Sequence, residues 1–437
     1  MGQTLAAFDS ALKDVYGPRI EEELNLVNPL TDFIEENDSA DWTGRQVTYP
    51  IHVSRNEGVG AGGEGDPLPA AGNQGYANVK IAEKFNYGRI ELTGQVIKSS
   101  LQSKGAFTRA MDAEIKGLVK DLANDRERQF FGSGTGVLAL VNGAQCMTNS
   151  VTLTIDSPFG IAPTTNGARF INPNMTIAVL DAITATTIEG TITVSSMGSS
   201  TGSTIVLSGT QSVTFSDNAR LVRCKVVTGV SVTGAKNNFG NEVMGLLGIF
   251  DDGTYANTLS NINRTTYPVF KSPVISLGGA LSLDAIQRGI DASDEIGGGD
   301  FGSNGVFFTE YSVRREYLKL LQPDRRYSGA DLTSPDGGTK KAALKKGGEI
   351  TYGDRPWRIA RKAPYGTLFG FLKGSVTRYI HVRGEWADED ERIFRNVAGY
   401  DKWEAFYRIF DNLHSDRPNE GFRIDGITAT VVVNHNY

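Results

Sequence analysis

The segment RQVTYPIHVSRNEGVGAGGEGDPLPAAGNQGYANVKIAEKFNYGRIELTGQ, residues 45–95, contains two alternating arms on either side of a glycine-rich middle. In the first arm an apolar or aromatic residue stands at every second position from Val47 to Val53. The alternation resumes in the return arm between Val79 and Tyr87. A period of two is typical of strands that bury one face, so the two arms predict a long β-hairpin.

Glycine marks two features of this hairpin. Past Gly88 the apolar positions shift by one residue, which predicts a β-bulge there. The middle, residues 55–75 (the hairpin tip), holds only two aliphatic side chains larger than alanine, Val59 and Leu68, and cannot build a core of its own. A two-stranded ribbon alone is marginally stable in water and has unpaired edges. We therefore expect the hairpin to lie against another molecule.

The composition is that of a folded globular chain. Hydrophobic residues make up 39% and charged residues 22% of the 437 positions, and 51 glycines indicate many turns. The formal net charge of −6 argues against a general electrostatic attraction for nucleic acid. The N-terminal segment lacks the features of a signal peptide, and no apolar run reaches the length of about 18 residues that spans a membrane. We expect no membrane span and folding in the cytoplasm.

Two cysteines, Cys146 and Cys224, flank one β-rich segment. They are too few for a disulfide framework. A single bridge and two free buried thiols both remain open, and a cytoplasmic folding site favours the free thiols.

The segments on either side of the hairpin predict helices. Residues 1–42 carry weak apolar stripes of helical spacing, which predict an arm of short helices. After the hairpin, Ser103 can cap a helix that continues through Phe131, with Arg126 on its polar side. Its length is roughly 28 residues, or about 42 Å, which is long for a globular domain. The sequence GSGTG at 132–136 ends it sharply.

The rest of the chain mixes strands and helices, which predicts the α+β class. Between about 145 and 235 charges become rare, and short runs rich in Thr, Val and Ile predict a small barrel or sandwich inserted into the main domain. The strands predicted there are 151–155, 175–180, 191–194, 204–207 and 221–223. Farther on, the predictions are helices at 283–296 and 311–321, strands at 305–309, 357–360, 368–371, 403–409 and 424–433, and a mobile loop at 325–348.

The sequence contains no strong catalytic or metal-binding motif. GVGAGG at 58–63 matches the dinucleotide pattern G-x-G-x-x-G, but no helix can begin after it. The four histidines are scattered, and neither H-E-x-x-H nor the nucleophile elbow G-x-S-x-G occurs. The acidic run at 385–391 and the lysines at 340–346 are typical of solvated segments. We expect no enzyme activity, no cofactor and no metal.

The order of these parts resembles the major capsid proteins of tailed bacteriophages, which have the HK97-like fold. In that family an N-terminal arm, an extended hairpin loop and a long spine helix follow one another, and an axial domain comes later. Local phrases are similar too: GVG at 58–60 with PLP at 67–69, YGRI at 87–90 with TGQ at 93–95, and MGLLGI at 244–249. The resemblance covers nearly the whole chain.

The resemblance implies a division into six segments. These are an N-terminal arm at 1–42, the extended loop at 43–98, a peripheral domain with the spine helix at 99–144, an inserted β-rich domain at 145–236, a mainly axial domain at 237–365, and return strands of the peripheral and axial domains at 366–437. The inserted domain departs from the minimal family pattern. Its role, as outer decoration, folding aid or brace between subunits, is open.

The resemblance also implies where subunits touch. A hairpin laid over the spine helix of the next copy forms a heterologous contact, which closes into rings. The residues expected in contacts between subunits are Trp42, Arg45, Arg55, Glu57, Glu64, Lys84, Arg89, Arg109 and Lys116. Some members of the family crosslink a lysine to an asparagine. Lys80 and Lys84 lie in the corresponding arm, but no matching asparagine and glutamate were found, so we expect no crosslink.

The implied function is that of a coat protein that assembles into an icosahedral head shell around double-stranded DNA. Its implied partners are other copies in hexamers and pentamers, a portal, a decoration protein and packaged DNA contacted without specificity. Because the arm begins at Met1, we expect a separate scaffolding protein or none. The implied location is the virion, after assembly in the host cytoplasm. Two alternatives remain: a tail or baseplate protein, and a carbohydrate-active enzyme with an inserted β-domain.

Overall fold

The computed structural model describes residues 29–38, 42, 44, 46–102, 110–161, 167–198, 202–225, 236–298, 301–321, 350–388 and 393–429. The predicted loop at 325–348 lies outside these residues, as does most of the predicted N-terminal arm.

The helices match the predictions in the second half of the chain. Predicted helices 283–296 and 311–321 are confirmed, and the first begins at Ser282, whose side chain accepts a hydrogen bond from the Ala285 amide. It ends at Gly298, which has a φ of 65°. The helices are α1 (Gly94–Gln102), α2 (Ala110–Phe131), α3 (Leu246–Ile249), α4 (Leu283–Gly297), α5 (Phe301–Asn304) and α6 (Tyr311–Leu321), with 3-10 turns at Gly167–Phe170, Pro268–Phe270 and Pro418–Glu420.

Helix α1 was not predicted, because it begins at a glycine and soon contains the β-branched Val96 and Ile97, which are weak helix formers. Position 94 requires a glycine because Asp401 lies very close to its backbone. The Gly94 amide donates to the carbonyl of Asp401 at 2.9 Å, and a Cβ at Gly94 would lie 2.3 Å from an Asp401 carboxylate oxygen. The predicted spine helix is confirmed over Ala110–Phe131; its first residues, 103–109, lie outside the described part of the chain.

The last predicted strand, 424–433, ends at Ile427, and residues 430–433 lie outside the described part of the chain. The strands of the structure overlap every predicted strand, and several are longer than expected. They are β1 (Glu35–Asn37), β2 (Gln46–Ser54), β3 (Gly75–Ala82), β4 (Lys84–Thr93), β5 (Val137–Val141), β6 (Gln145–Cys146), β7 (Ser150–Asp156), β8 (Thr176–Leu180), β9 (Ile188–Met197), β10 (Thr204–Gln211), β11 (Thr214–Phe215), β12 (Arg220–Lys225), β13 (Lys236–Asn237), β14 (Thr258–Leu259), β15 (Ile262–Asn263), β16 (Val274–Gly279), β17 (Gly305–Thr309), β18 (Ile350–Tyr352), β19 (Arg355–Ile359), β20 (Leu368–Leu372), β21 (Thr377–Trp386), β22 (Arg395–Asn396), β23 (Lys402–His414) and β24 (Phe422–Ile427).

The described residues fall into two compact units. The smaller contains the described parts of 86–125 and 382–409, and the larger contains the described parts of 28–85, 126–381 and 410–437. The larger unit includes a mixed sheet of order β16-β24-β20-β17-β19-β18. The α+β class is confirmed. The six-segment division from the sequence stays a prediction.

Six strands of the larger unit pair in a closed ring. The antiparallel neighbours run β12-β5-β7-β10-β9-β8, and β8 pairs back with β12. Alternate residues such as Leu153 and Ile205 are fully buried in one apolar cluster inside the ring. Strand β8 is buried on both faces, since Ile177 joins that cluster and Ala178 joins a second one with Cys224. Both cysteines are free, as favoured, but Cys146 is exposed rather than buried.

The predicted hairpin exists, but its return arm is two strands rather than one. Strands β2 and β3 form a two-stranded sheet in which Val47 lies opposite Ile81 and Tyr49 opposite Val79. Strand β4 belongs to a different sheet, where it pairs with β23. The chain changes sheets at Glu83, and the buried face switches there from odd to even residue numbers.

The predicted bulge at Gly88 is wrong. The odd-numbered residues from Phe85 to Glu91 are exposed without interruption, so the alternation passes through Gly88 unchanged. The glycine permits a close approach instead. A Cβ at Gly88 would lie 2.9 Å from a methyl carbon of Leu118, on α2 in the same unit. The apparent shift in the sequence reflects the sheet change five residues earlier, at Glu83.

The last turn of α2 buries charged residues in the larger unit. Arg126, expected on the polar side, is 3% exposed and forms an ion pair with the fully buried Asp411. Arg378 Nε contacts the same carboxylate oxygen at 2.6 Å, and Arg128 pairs with Glu242 at 2.6 Å. Buried charges are tolerated only when paired, and these partners are distant in sequence. The helical pattern alone therefore placed Arg126 wrongly.

Candidate assembly surface

The base of the hairpin is firmly attached to the larger unit. Val79 and Ile81 are fully buried, and Val47 is 8% exposed; all three belong to the main apolar cluster of that unit. The Lys80 amide donates to the carbonyl of Ser260 at 2.9 Å. Asn412 Nδ2 donates to the carbonyl of Ala82 at 2.8 Å. Apolar burial and these hydrogen bonds together fix the direction in which the hairpin leaves its unit.

A network of polar side chains contacts Tyr49 on the first strand of the hairpin, β2. Tyr49 donates its hydroxyl hydrogen to Asp416 Oδ1 at 2.5 Å, and its oxygen lies 3.3 Å from the Tyr379 hydroxyl. His414, 1% exposed, contacts Asp416 Oδ1 through Nε2 at 3.3 Å and the Ser260 hydroxyl through Nδ1 at 2.8 Å. Although burial opposes ionisation, the hydrogen bonds from His414 and Tyr49 hold the pKa of Asp416 below its usual value. The Asp416 carboxylate thus links the hairpin, through Tyr49, to β23, through His414.

Ser260, His414 and Asp416 together have the composition of a hydrolytic triad, which no motif in the sequence indicated. A nucleophile must face a substrate site within reach of its base. A groove of about 560 Å³ beside β2 is lined by Tyr49 and Asp416, among others, but not by Ser260 or His414. Among the described residues that line the groove, Asp416 is the one carboxylate, so this lining does not supply the acid pair of a typical glycosidase. The network is suited to holding the hairpin rather than to catalysis.

Replacing Asp416 with Asn should weaken this attachment in a pH-dependent way. Because the folded-state pKa of Asp416 is lowered, its ionised form stabilises the fold above the unfolded value of about 3.9, and that contribution disappears as the pH falls through the folded value. The side chain is 57% exposed, so the effect at pH 7 should be below about 1 kcal/mol. Urea unfolding midpoints should differ between wild type and Asp416→Asn at pH 7 and converge as the pH falls through the folded-state pKa of Asp416. Asp388→Asn, at an exposed site, is the control; a pH-independent difference would contradict this role.

The hairpin tip contrasts with the base. No residue from 55 to 74 is buried, and the two apolar side chains Val59 and Leu68 are 85% and 90% exposed. The tip is nevertheless ordered by its own hydrogen bonds. Asn56 accepts from the Gly58 amide at 2.7 Å and donates to the carbonyl of Gly72 at 2.8 Å, which clamps the two sides together. The result is a braced projection whose apolar side chains lack cover within the described part of this chain.

No family model matches the sequence, and no curated protein matches it. Solved structures do match the fold. The capsid protein in the asymmetric unit of cyanophage A-1(L) superposes with a TM-score of 0.60 and 10% identity, covering 98% of this chain and 100% of the other. The capsid of a native GTA particle gives a TM-score of 0.51 and 10% identity, with coverage of 98% and 100%.

The chain has the HK97-like capsid fold. The expected fold is therefore confirmed, whereas the assignment of its parts, with the hairpin β2–β3 as extended loop and α2 as spine helix, stays a prediction.

Three residues expected at contacts between HK97-like subunits have partners in their own chain. Trp42 Nε1 donates to the carbonyl of Ile380 at 3.1 Å, and Lys84 Nζ donates to the carbonyl of Gly240 at 2.7 Å. Burial lowers the pKa of Lys84. Arg89 forms ion pairs with Glu404 and Glu91, as the sheet of the smaller unit brings the three together. None of these contacts tests the expected role, which stays a prediction.

The other expected contact residues are exposed or undescribed. Arg55 and Glu57 form an ion pair at 2.7 Å on the tip, with side chains 80% and 73% exposed. Glu64 and Lys116 are also exposed. The remaining two, Arg45 and Arg109, lie outside the described residues.

Among the described residues, no three His, Cys, Asp or Glu side chains are placed to share a metal ion. No helix in the described part of the chain has the length and apolar character to cross a membrane.

Proposed function

We propose that this chain is the major capsid protein of a tailed phage and builds an icosahedral shell from many copies. The hairpin carries the proposal: its base is fixed by buried apolar residues, and its ordered tip exposes Val59 and Leu68. An exposed apolar projection on a fixed stalk suits a contact with another molecule. Similarity of fold to two capsid proteins over nearly the whole chain suggests that this molecule is a second copy.

The finer features belong to the same proposal. The closed ring of β5, β7–β10 and β12 serves as the inserted β-rich domain, and a heterologous contact between hairpin and neighbour closes hexamers and pentamers. Assembly in the host cytoplasm, a portal, a separate scaffolding or decoration protein and enclosed double-stranded DNA follow from the capsid role. No catalytic step is part of it.

Sedimentation and negative-stain microscopy of the expressed protein test the proposal. Rings of five or six copies, or closed shells, are expected at micromolar concentration. Discrete tubes or stacked discs would favour a tail or baseplate protein instead. A monodisperse monomer that saturates with a small ligand would overturn the capsid role.

A further inference from the structure

We propose that the groove beside β2 binds the proline-rich segment PLP, residues 67–69, from the hairpin tip of a second copy of this chain. The groove (the β2 groove) has a volume of about 560 Å³. The inference rests on the proposed function and deepens it, because it names the surface that receives the tip. The lining of the β2 groove includes Tyr49, Pro50, Ile51, His52, Val269 and Phe270.

The sequence of the tip favours an extended backbone at 67–69. A proline has a fixed φ, and the residue before a proline, here Leu68 before Pro69, is restricted to extended conformations. All three residues are exposed, and Leu68 is 90% exposed. A segment that is already extended loses little conformational entropy when it binds. The tip therefore presents Leu68 in a form ready for docking.

The tip of the same copy does not fill the β2 groove. A Cβ at Gly60 would lie 3.1 Å from the ring of Pro69, so the proline-rich segment runs beside Gly60 on the other side of the tip. Gly60 follows His52 by about eight residues, which is on the order of 25 Å for an extended chain. The hydrogen bond from Asn56 to Gly72 holds the two sides of the tip together over this length. The occupant must therefore come from another copy.

The β2 groove runs along the free edge of β2. Four consecutive residues of the strand, 49–52, line the groove, and β3 contributes no described residue to the lining. Because successive side chains of a strand point to opposite faces, such a groove follows the strand's edge rather than one face. β2 pairs with β3 in a two-stranded sheet, so no other described strand occupies this edge.

This edge can donate hydrogen bonds to a proline-rich segment. Lys80, opposite Thr48, donates its amide to Ser260 instead of to β2. Since hydrogen-bonded and non-hydrogen-bonded pairs alternate along an antiparallel ladder, the amide of His52 also points away from β3. Among the described residues, none accepts a hydrogen bond from that amide. Prolines offer carbonyl acceptors but no amide hydrogen, which suits an edge that donates.

The apolar side chains of the β2 groove suit the same segment. Tyr49 and Phe270 contribute aromatic rings, and Val269 is 46% exposed. Extended proline-rich segments dock into grooves lined by aromatic side chains. Docking would cover Val269 and Leu68 together, and both lack cover within the described part of a single copy.

The exposed charges favour this pairing. From 58 to 73 the tip contains Glu64 and Asp66, just before the proline-rich segment, and no Lys or Arg. Lys271, directly after the groove residue Phe270, is exposed. Arg417 in the lining has a side chain that is 73% exposed, although it also contacts Glu420 at 2.9 Å. An exposed pair between a tip acid and one of these cations would add specificity more than affinity.

A contact between tip and groove is heterologous, because two different surfaces meet. Each copy offers one tip and one groove, so copies add in one direction and close into a ring when the rotation between them allows it. The β2 groove thus supplies the acceptor that the exposed tip requires.

Crosslinking between positions 68 and 269 tests the proposal on the full chain. A Cys146→Ser background removes the exposed native thiol. In that background, Leu68→Cys/Val269→Cys treated with a short bis-maleimide should give a ladder of linked copies on a denaturing gel. Leu68→Cys/Ile183→Cys, whose second position is 89% exposed on another turn, should give less than about a tenth of that yield. Equal yields from the two variants would overturn the proposal.

A charge placed in the β2 groove tests the same contact without chemistry on the tip. Val269→Glu sets a carboxylate against an acidic tip, so assembly should require at least about tenfold more protein, with circular dichroism unchanged. Val151→Glu is the matched control, since Val151 is 39% exposed on β7, and it should assemble like wild type. A Val269→Glu variant that assembles as readily as this control would contradict the proposal.

Sedimentation of the crosslinking samples separates this proposal from the capsid role. Rings or shells that give the ladder between positions 68 and 269 support both. Rings or shells without the ladder refute the β2 groove alone. A ladder from copies that form open chains, but neither rings nor shells, supports the groove and refutes the capsid role. Monomers without a ladder refute both.

Discussion

Deletion of residues 58–73 should give a soluble, folded subunit that no longer forms rings or shells. None of these residues is buried, so their loss removes little of the apolar burial that stabilises the fold. The deletion joins residues 55–57 to 74, a connection of a length that hairpins accept, and leaves the register of Tyr49 with Val79 intact. Circular dichroism should be unchanged, while sedimentation should shift entirely to monomer.

A gentler variant separates the apolar contact from the loop itself. Val59→Ser/Leu68→Ser keeps the tip's backbone and the Asn56 clamp but removes both exposed apolar side chains, so we expect assembly to require at least about tenfold more protein, or 1.4 kcal/mol. Ile183→Ser is the matched control, because Ile183 is 89% exposed on another turn, and it should assemble normally. If the deletion unfolds the subunit, or if it assembles like wild type, the tip does not serve a neighbouring copy.

Replacing Arg264 with Met should be among the most destabilising single changes in the chain. Its side chain is fully buried, and its guanidinium donates to the carbonyls of Gly248, Ile249, Ala256 and Phe270. Methionine fills a similar volume but donates nothing. Each buried carbonyl left without a donor costs about 1–3 kcal/mol, so we expect a loss of about 4 kcal/mol or more.

The charge state of Arg264 does not weaken this expectation. Burial lowers its pKa to about 10, which still leaves the guanidinium protonated at neutral pH beside Asp251, 3.7 Å away. Urea midpoints and the soluble fraction on expression measure the effect. Arg288→Met, at an exposed arginine, should change stability by less than about 0.5 kcal/mol. An Arg264→Met subunit as stable as this control would show that the four carbonyls find other donors.

Loss of the hydrogen bonds of Arg264 should also destabilise the base of the hairpin. The carbonyls that Arg264 holds precede and follow the turn β14–β15, whose Ser260 accepts from the hairpin amide of Lys80. In a partly destabilised Arg264→Lys subunit, which keeps the charge but cannot span four carbonyls, amide exchange at Lys80 should accelerate before exchange in the ring of strands does.

Local patterns in the sequence determined much of the fold. Apolar periodicity over a few residues predicted the strands β2 and β3 and the buried strand at 305–309. Residues that begin and end helices, Ser282 and Gly298, predicted the bounds of the helix between them. The exposed tip of the hairpin was also predictable, since a segment with two aliphatic side chains cannot bury itself.

Tertiary structure alone decided the rest, because it depends on partners far away in the chain. The sheet change at Glu83 follows from the pairing of β4 with β23, roughly 320 residues later, and the glycine at 88 follows from the approach of Leu118 rather than from a bulge. The burial of Arg126 depends on Asp411. The local sequence pattern indicates which face of a helix or strand is apolar. It does not show which distant residue will lie beside a given position. A buried charge such as Arg126 is favourable only because the folded chain brings an opposite charge next to it.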